Sequence, residues 1–230
     1  MDKFFSKSSK DVLNHFNVTK EGLSTEQVNK SKEENGFNEL TEKKKKSVLV
    51  VFLEQFKDLL VGILIVAALI SMATGDVEST LVIFAVIIMN AILGTVQNVK
   101  AEQSLNSLKA LSSPNAKVIR NGVKVEIPSR EVVPGDIVVL EAGDLVVADG
   151  RIIESFSLQV NESALTGESE SVNKFEEVID SEEVALGDQK NMVFSSSLVT
   201  YGRALIVVTN TGMTTELGKI ATLIDRKSVV

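Results

Sequence analysis

The apolar residues of this chain form long continuous runs in its first half and short alternating runs in its second half. One run without a charged residue extends from Leu59 to Gly75, and another extends from Ser79 to Val99. A helix needs about 20 apolar residues to cross the hydrocarbon core of a bilayer. The second run is long enough alone, and the first approaches that length with the residues before it. The pattern therefore predicts two membrane spans, about 55–75 and 79–99.

The charges around these runs predict the orientation of the two spans. Asp76 and Glu78 lie in the short connection, which has no Lys or Arg, whereas Lys43–Lys46, Lys100 and Lys109 flank the outer ends. Cytoplasmic flanks of membrane helices carry an excess of Lys and Arg. We therefore expect a transmembrane hairpin with both outer ends in the cytoplasm and the basic run at the membrane surface. The alternative is a pair of buried helices in a soluble protein.

Polar helices are predicted on both sides of the apolar region. Residues 1–46 have the pattern of short helices, one of which begins at a cap formed by Ser24 or Thr25. A helical spacing of leucines continues the second apolar run outward until Ser112-Ser113-Pro114, where proline is expected to end the helix. Residues 47–111 are therefore predicted to form the hairpin and its cytoplasmic extension.

Beyond residue 112 the hydrophobic period changes to the alternation of β-strands. Two alternating runs flank Asn121-Gly122, which is a strong signal for a hairpin. Segment 112–224 is predicted to be an antiparallel β-domain of the sandwich or distorted-barrel type, so the fold class is that of an α+β membrane protein. Further strands are expected over Ile137–Leu140, Leu145–Val147, Arg151–Ser155, Met192–Val199 and Ala204–Thr209. Turns are expected at Pro134–Asp136, Ala142–Asp144, Asp149–Gly150 and Tyr201–Arg203. An exposed acidic loop is expected over Glu176–Gln189.

Composition narrows the classes of function. Of 230 residues, 44% are apolar and 24% charged, which suits a few membrane helices joined to a soluble domain. The net charge of -7 argues against nucleic acid as a partner. The chain has no cysteine and a single histidine, His15, so we expect no disulfide and no metal site built on thiolates or a histidine cluster. The first apolar run also begins too far from the N-terminus for a secretory signal.

The candidate chemistry lies in the turn Leu165-Thr166-Gly167-Glu168-Ser169. A carboxylate that follows a glycine in a tight turn is well placed to orient a water molecule for attack on a phosphoryl or acyl centre. The same residues could also form an ordinary turn with a solvent-facing glutamate. The order of motifs around this turn decides between the two interpretations.

A second motif, Gly212–Lys219, resembles a phosphate-binding loop but departs from its spacing. It has one residue too many between the glycines, and Ile220 stands where Ser or Thr should hold the metal. We therefore expect no nucleotide-binding site in this chain.

The order of motifs along the chain resembles the P-type cation-transporting ATPases, in the type II group that contains the calcium pumps. By this resemblance residues 1–46 and about 112–224 form the actuator domain, and residues 47–111 supply the first two membrane helices. The matching positions cover nearly the whole chain: Gly22–Thr25, Phe37–Leu40, Glu54–Leu60, Asn90–Ile92, Ala101–Glu102, Pro134–Asp136, Ala148–Gly150, Thr166–Ser169, Asn191–Ser195 and Gly218–Ile220.

The resemblance implies an ATP-driven cation pump, with Ca2+ as the expected cation. In that family an aspartate of a downstream domain takes the γ-phosphate of Mg-ATP, and a glutamate of the actuator domain positions the water that hydrolyses the aspartyl-phosphate. Glu168 matches that glutamate, and Thr166, Gly167 and Ser169 match the residues that shape its loop. Asn161 stands where the family often has aspartate, and a loop-shaping hydrogen bond is compatible with this change.

The resemblance also implies parts that this sequence does not contain. The phosphorylated aspartate, the nucleotide domain and the remaining membrane helices are absent, so Mg2+ and ATP are expected to bind outside this fragment, which alone is expected to be inactive. Residues 225–230 match what the opening of a common sequencing adapter and a stop codon would encode, so a non-native tail is expected there.

The expected location is a bacterial plasma membrane, crossed more than once, with both ends of the fragment in the cytoplasm. The expected partners are the lipid bilayer, the transported cation and the missing domains of the same chain. Two alternatives remain open at this point. One is a pump for H+ or for Na+ and K+, and the other is a non-catalytic, membrane-anchored β-domain that binds or regulates a complete pump.

Overall fold

The computed structural model describes residues 3–40, 47–112, 114–181 and 183–227. The basic run Lys43–Lys46 and the last three residues of the expected tail lie outside this part of the chain. The chain divides into two compact units. The β-unit consists of Met1–Thr41 and Ser113–Val230, and the helical unit consists of Glu42–Ser112.

Seven helices and seven strands are assigned in the described ranges. The helices are α1 (Ser9–His15), α2 (Thr25–Asn35), α3 (Val48–Glu54), α4 (Leu59–Ala73), α5 (Val77–Ser112), α6 (Ser163–Thr166) and α7 (Glu216–Lys227). The strands are β1 (Asn115–Arg120), β2 (Val123–Pro128), β3 (Ile137–Glu141), β4 (Asp149–Asn161), β5 (Ser171–Asn173), β6 (Met192–Val193) and β7 (Leu198–Asn210). Short 3-10 turns occupy Phe4–Ser6, Gln55–Lys57, Ser129–Glu131, Leu186–Asp188 and Gly212–Thr214.

One helix of the helical unit is long and apolar enough to cross a membrane. This span is Val77–Leu105 within α5, judged by length and composition alone. The helix continues to Ser112, where the sequence predicts its end. Pro114 explains this limit, because proline disfavours helical geometry in the residue before it.

The first predicted span, 55–75, is not one continuous helix. α3 and α4 are separated by the 3-10 turn Gln55–Lys57 and are bent by 69°. The carboxylate of Asp58 accepts a hydrogen bond from the Leu60 amide at 2.8 Å and so caps a new helix at this point. The two charged residues, Lys57 and Asp58, therefore lie at a break, and the two-span hairpin stays a prediction.

A stripe of α5 provides the packing of the helical unit. Thr80, Ile87, Ala91 and Thr95 are buried at helical spacing, and α5 contacts both α3 and α4. Most of the other apolar side chains of α4 and α5 are exposed. Exposed apolar area on this scale requires cover by lipid or protein.

The β-unit contains one antiparallel sheet of seven strands, in the order β2-β1-β3-β7-β4-β5 with β6 paired to β4. All the strands thus belong to one connected sheet, and the hydrogen bonding does not divide it into the two sheets of a sandwich. The hairpin predicted at Asn121-Gly122 is confirmed. Arg120 pairs with Val123, and the two connecting residues have φ of 51° and 73°, as a tight turn of this type requires.

Two long strands replace several of the shorter predicted elements. The turn predicted at Tyr201–Arg203 is wrong, because β7 runs through it without a break. Gly202 has a φ of 77°, and Ser157, at the irregular pairing on β4, has a φ of 54°. Matched irregularities of this kind let two paired strands bend without ending.

The predictions for two further strands and one further turn are also wrong. Leu145–Val147 forms only an isolated bridge, from Leu145 to Leu198. The strand predicted over Met192–Val199 is divided between β6 and the start of β7. Asp149–Gly150, predicted as a turn, begins β4 and is buried. In each case the backbone pairs with a segment that is distant in the sequence, and the local hydrophobic pattern does not indicate this partner.

Both faces of the sheet are covered by apolar side chains. Alternating residues of β3 and β7 enter different clusters, with Val138 and Ile206 in one and Ile137 and Val207 in the other. The second cluster is completed by the N-terminal segment: Phe4, Phe5, Val12, Val18, Leu23 and Val28. The N-terminal helices therefore belong to the β-unit. α2 begins at a capping box formed by Ser24 and Gln27, which confirms the predicted cap.

A buried arginine fastens three distant segments of the β-unit together. The guanidinium of Arg151, on β4, donates to the carbonyl oxygens of Ile152 at 2.6 Å, Glu176 at 2.9 Å and Lys7 at 3.2 Å. Its side chain is fully enclosed, and burial lowers its pKa to about 10, so it remains charged at neutral pH. Asn191 supports the same junction by donating to the carbonyl of Phe5 at 2.8 Å.

Candidate functional site

The Glu168 turn lies at the end of the sheet, between β4 and β5. The last pair of these strands is Asn161 with Ser171. Between them the chain forms the short helix α6, which ends at Gly167 in the left-handed conformation, with φ 78° and ψ -1°. Gly167, Glu168 and Ser169 are exposed, and Thr166 is half-buried. The four predicted residues are therefore brought together on one projecting loop.

Thr166 connects the two halves of this loop. Its hydroxyl group donates to the carbonyl oxygen of Glu162 at 3.1 Å, and the hydroxyl oxygen Oγ1 of Thr166 accepts from the amide of Glu168 at 3.3 Å. The amide of Gly167 donates to Ser163 at 3.0 Å and closes the helical turn. These bonds fix the backbone that carries Glu168.

Asn161 closes the base of the loop from the other side. Its amide nitrogen donates to the carbonyl of Ser169 at 3.0 Å, and its side-chain oxygen accepts from the amide of Ser163 at 3.0 Å. An ionised aspartate at this position could make only the second bond, because it has no donor. The loop-shaping hydrogen bond expected for Asn161 is therefore present.

The carboxylate of Glu168 is exposed, with no hydrogen bond or ion pair to any of the residues that the structure describes. A free carboxylate can orient a water molecule and accept its proton when an electrophile is brought close. The described ranges contain no group of three or more His, Asp or Glu side chains able to hold a metal ion. The described part of the loop thus presents an exposed, unpaired carboxylate and no metal-binding cluster.

The space around Gly167 is open. A Cβ atom built at this position would meet no atom within 4 Å, whereas a Cβ at Gly202, with almost the same φ, would lie 2.3 Å from the carbonyl oxygen of Ser157. The left-handed conformation alone disfavours alanine at both sites. The surface beside Gly167 is thus open to an approaching group. The absence of a side chain at Gly202 lets β7 lie close to the backbone of Ser157 on β4.

Gly167→Ala is expected to cost about 1 kcal/mol of folding free energy, the penalty for a left-handed alanine. Gly202→Ala should cost more, about 2 kcal/mol, because backbone atoms must also move. Urea unfolding of the chain in detergent, followed by the fluorescence of Tyr201, compares the two variants. The chain has one tyrosine and no tryptophan, so this signal reports on β7. Equal losses would contradict the assignment of Gly202 to close packing.

A buried ion pair beneath the loop was not predicted from the sequence. Lys174 Nζ lies 2.6 Å from Glu162 Oε1, and the two side chains are 0% and 1% exposed. Burial raises the pKa of Glu162 and lowers the pKa of Lys174, and the opposite charge of the partner works against each shift. The amino-acid sequence carries only a weak signal for this ion pair, because isolated charged side chains beside an exposed loop are usually solvated.

The aspartates of the two motifs upstream of the loop, Asp136 and Asp149, accept hydrogen bonds within the β-unit. Asp136 is fully buried and accepts two hydrogen bonds from the guanidinium of Arg120, at 2.9 and 2.7 Å. Gly135 has a φ of 93°, and the predicted turn at Pro134–Asp136 is confirmed. Asp149 accepts from the amides of Ser195 at 2.9 Å and Glu216 at 2.8 Å, and so it holds the start of α7.

Asp149 is expected to make the stability of the β-unit depend on pH. Burial is the main cause that raises its pKa to about 6 from 3.8. The folded state therefore binds more protons than the unfolded state between these values, and stability falls as pH rises from about 4 to about 6. The shift corresponds to about 3 kcal/mol.

Asp149→Asn should lack this titration. Relative to the wild type, the variant is expected to gain up to about 3 kcal/mol between pH 4 and pH 6.5. Urea titrations of both proteins across this pH range measure the difference, and subtraction removes the contribution of other carboxylates. Parallel pH profiles would show that Asp149 titrates normally in the fold.

The glycine motif at Gly212–Lys219 is occupied by contacts within the β-unit. The amide of Gly212 donates to Asn38 Oδ1 at 2.8 Å, and a Cβ at Gly212 would lie 2.7 Å from the carbonyl oxygen of Glu39. A Cβ at Gly218 would lie 2.5 Å from the carbonyl oxygen of Gly212. The amide of Gly212 and the space beside both glycines are used by the protein itself, so the motif does not fit a nucleotide phosphate.

Two family models match the chain. The model described as "P-type ATPase actuator domain" matches residues 110–225, which include the complete Glu168 loop. The model described as "Cation transporter/ATPase, N-terminus" matches residues 4–71. The two matches overlap no residue and follow each other in chain order.

The curated relatives include bacterial proteins named calcium-transporting ATPases. The chain is 50% identical to one from Listeria monocytogenes over 97% of its own length, and 49% identical to one from Lactococcus lactis over 96%. It is 44% identical to one from Bacillus subtilis over 97% of its length. In each case the match covers 25% of the relative, so the chain spans about a quarter of the length of these proteins.

Proposed function

The chain belongs to the P-type ATPases, and on that premise we propose that it is the N-terminal part of an ATP-driven calcium pump. The family is supported by an actuator-domain match over half of the chain, and the cation by relatives named as calcium transporters at up to 50% identity. Residues 1–46 and 112–224 would form the actuator domain, and 47–111 the first membrane helices.

The observation that carries the proposed mechanism is the exposed carboxylate of Glu168 on a glycine turn within the actuator match. Its proposed role is in hydrolysis of an aspartyl-phosphate on a later part of the pump. The oxygen of a water molecule attacks phosphorus, Glu168 takes a proton from that water, and the bond from phosphorus to the aspartyl oxygen breaks. The products are the free aspartate and inorganic phosphate.

Thr166, Gly167 and Ser169 are proposed to shape the loop for this step. The hydroxyl of Thr166 holds the amide of Glu168, and the carbonyl of Ser169 is held by Asn161. Gly167 leaves room for a phosphorylated group to approach, since no atom lies within 4 Å of its Cβ position. The loop is thus prearranged before it meets the phosphate, which lowers the entropy cost of reaction.

Mg2+ and ATP are proposed to bind outside this chain. Within the described ranges, no cluster of acidic or histidine side chains fits a metal ion, and the glycine motif at Gly212–Lys219 is filled by Asn38 and Glu39. The chemistry assigned to this chain is therefore limited to the water and its proton.

The membrane topology is a further part of the proposal. α5 would form one span, and the bent pair α3 and α4 would form a broken second span, with the bilayer as the partner of their exposed apolar side chains. The lysines on the outer flanks favour cytoplasmic ends for both. Bacterial relatives support a bacterial plasma membrane as the location.

The proposal is tested with inverted membrane vesicles that contain the complete pump. Addition of ATP is expected to drive accumulation of radioactive calcium, and Ca2+ is expected to trigger formation of an acid-stable phosphoenzyme. Vesicles without the protein serve as the control. Phosphorylation triggered by Na+ or K+ but not by Ca2+ would overturn the proposed cation.

A further inference from the structure

Two opposite charges, Glu162 and Lys174, meet beneath the base of the Glu168 loop. Asn161 pairs with Ser171 at the base of the loop, and Glu162 comes directly after Asn161. Lys174 follows the far end of β5, where its backbone lies beside Leu158. The side chains of Glu162 and Lys174 meet at 2.6 Å in the interior of the β-unit. The pair therefore ties the first residue of the loop to the far end of β5, beneath the exposed turn.

Lys174 is held from several directions. Its amide donates to the carbonyl of Leu158 at 2.9 Å, and its ammonium group lies 3.4 Å from the carbonyl of Gln189 and 5.5 Å from the ring centre of Phe194. These contacts come from β4, from the end of the acidic loop and from the apolar core. They give the ammonium group one position against the carboxylate of Glu162.

The residue that Lys174 holds is also the residue that starts the turn. The carbonyl oxygen of Glu162 accepts hydrogen bonds from the amides of Leu165 and Thr166, at 2.9 and 3.0 Å, and from the hydroxyl of Thr166 at 3.1 Å. That hydroxyl in turn accepts from the amide of Glu168. A continuous chain of contacts thus runs from the buried ammonium group to the backbone of Glu168.

A buried ion pair of this kind contributes little to stability. Removing both charges from water costs about as much as their attraction returns, and apolar replacements of similar volume are often neutral or stabilising. In addition, Glu162 Oε2 has no hydrogen-bond donor among the residues that the structure describes. What the pair supplies is a fixed relative position of the two segments, because each buried charge needs its opposite charge within ion-pair distance.

We propose that Glu162 and Lys174 are positioning residues that fix the orientation of the Glu168 loop for phosphoenzyme hydrolysis. The inference rests on the proposed function for the reaction that it serves. Its structural part, a loop held by the buried pair, does not depend on that function. Neither side chain reaches the reacting atoms, because both are enclosed beneath the turn.

The test uses the double variant Glu162→Met/Lys174→Met, which replaces the pair by apolar side chains of similar length. Hydrogen exchange of the 230-residue chain in detergent is measured at the amides of Thr166 and Gly167. We expect exchange there to accelerate at least tenfold while the amide of Val138, in the core of β3, is unchanged. Exchange at the wild-type rate in a folded double variant would overturn the inference.

The same variant in the complete pump is expected to form phosphoenzyme at the normal rate and to lose it at least tenfold more slowly. The single variant Lys174→Arg, which keeps the positive charge, should retain most of the wild-type decay rate. Lys117→Met is the control, because Lys117 pairs with Glu141 and Asp144 on the surface of the same sheet. Normal decay in the double variant would overturn the positioning role.

Two further results separate the inference from the proposed function. Normal decay in Glu168→Gln would overturn the proposed function, whatever the double variant does. Slow decay in Glu168→Gln together with normal decay in the double variant would overturn the positioning role alone. If the double variant does not fold, Glu162→Gln replaces it, with accelerated exchange at Thr166 expected and wild-type exchange contradicting the inference.

Discussion

Glu168→Gln in the complete pump is expected to leave phosphorylation intact and to slow phosphoenzyme decay by about 10²- to 10⁴-fold, the usual contribution of a positioned base. Glutamine has nearly the same shape and can still contact a water molecule, but it cannot accept the proton of that water. Since Glu168 is exposed, the substitution should not change the folding of the β-unit.

The measurement is a pulse of radioactive ATP followed by a chase with unlabelled ATP, in which formation and decay of the phosphoenzyme are timed separately. Glu170→Gln is the matched control, because Glu170 is also exposed and lies on the same loop. We expect normal decay in this control. Equal slowing in both variants would indicate that loop charge matters and that Glu168 has no specific role.

Features governed by neighbouring residues could be predicted from the sequence. The hairpin at Asn121-Gly122, the cap at Ser24 and the end of α5 before Pro114 all depend on the conformational preferences of a few adjacent residues. The exposed glycine turn at Glu168 belongs to this group. Its role in hydrolysis rests on the family resemblance and stays a prediction.

Features that depend on distant partners could not be predicted in the same way. β7 passes through Gly202 because Ser157 on β4 has a matching irregularity, and no local pattern links these two positions. The pair of Glu162 and Lys174 is hidden for the same reason, since each charge looks solvated until the sheet brings the two together. Hydrophobic period locates strands but carries no information about which strands pair.

Arg151→Met is expected to lower the free energy of unfolding of the β-unit by about 4 kcal/mol. Methionine fills much of the same volume but donates no hydrogen bond. The carbonyl oxygens of Lys7, Ile152 and Glu176 would lose the donor that Arg151 supplies. A hydrogen bond to a charged group contributes about 1.5–3 kcal/mol, and relief from burying the charge offsets only part of the sum of the three bonds.

The effect of Arg151→Met should also be visible in the N-terminal segment. Lys7 lies in the N-terminal segment that begins at Phe4 and completes the second apolar cluster. Its carbonyl oxygen accepts a hydrogen bond from Arg151. The segment should therefore exchange its amide hydrogens faster in the variant. Urea unfolding followed by Tyr201 fluorescence gives the stability, with Arg203→Met as the control, because Arg203 is exposed and stacks on Phe156 at 4.7 Å. A loss as small as that of the control would mean that water replaces the guanidinium, and that this junction does not depend on Arg151.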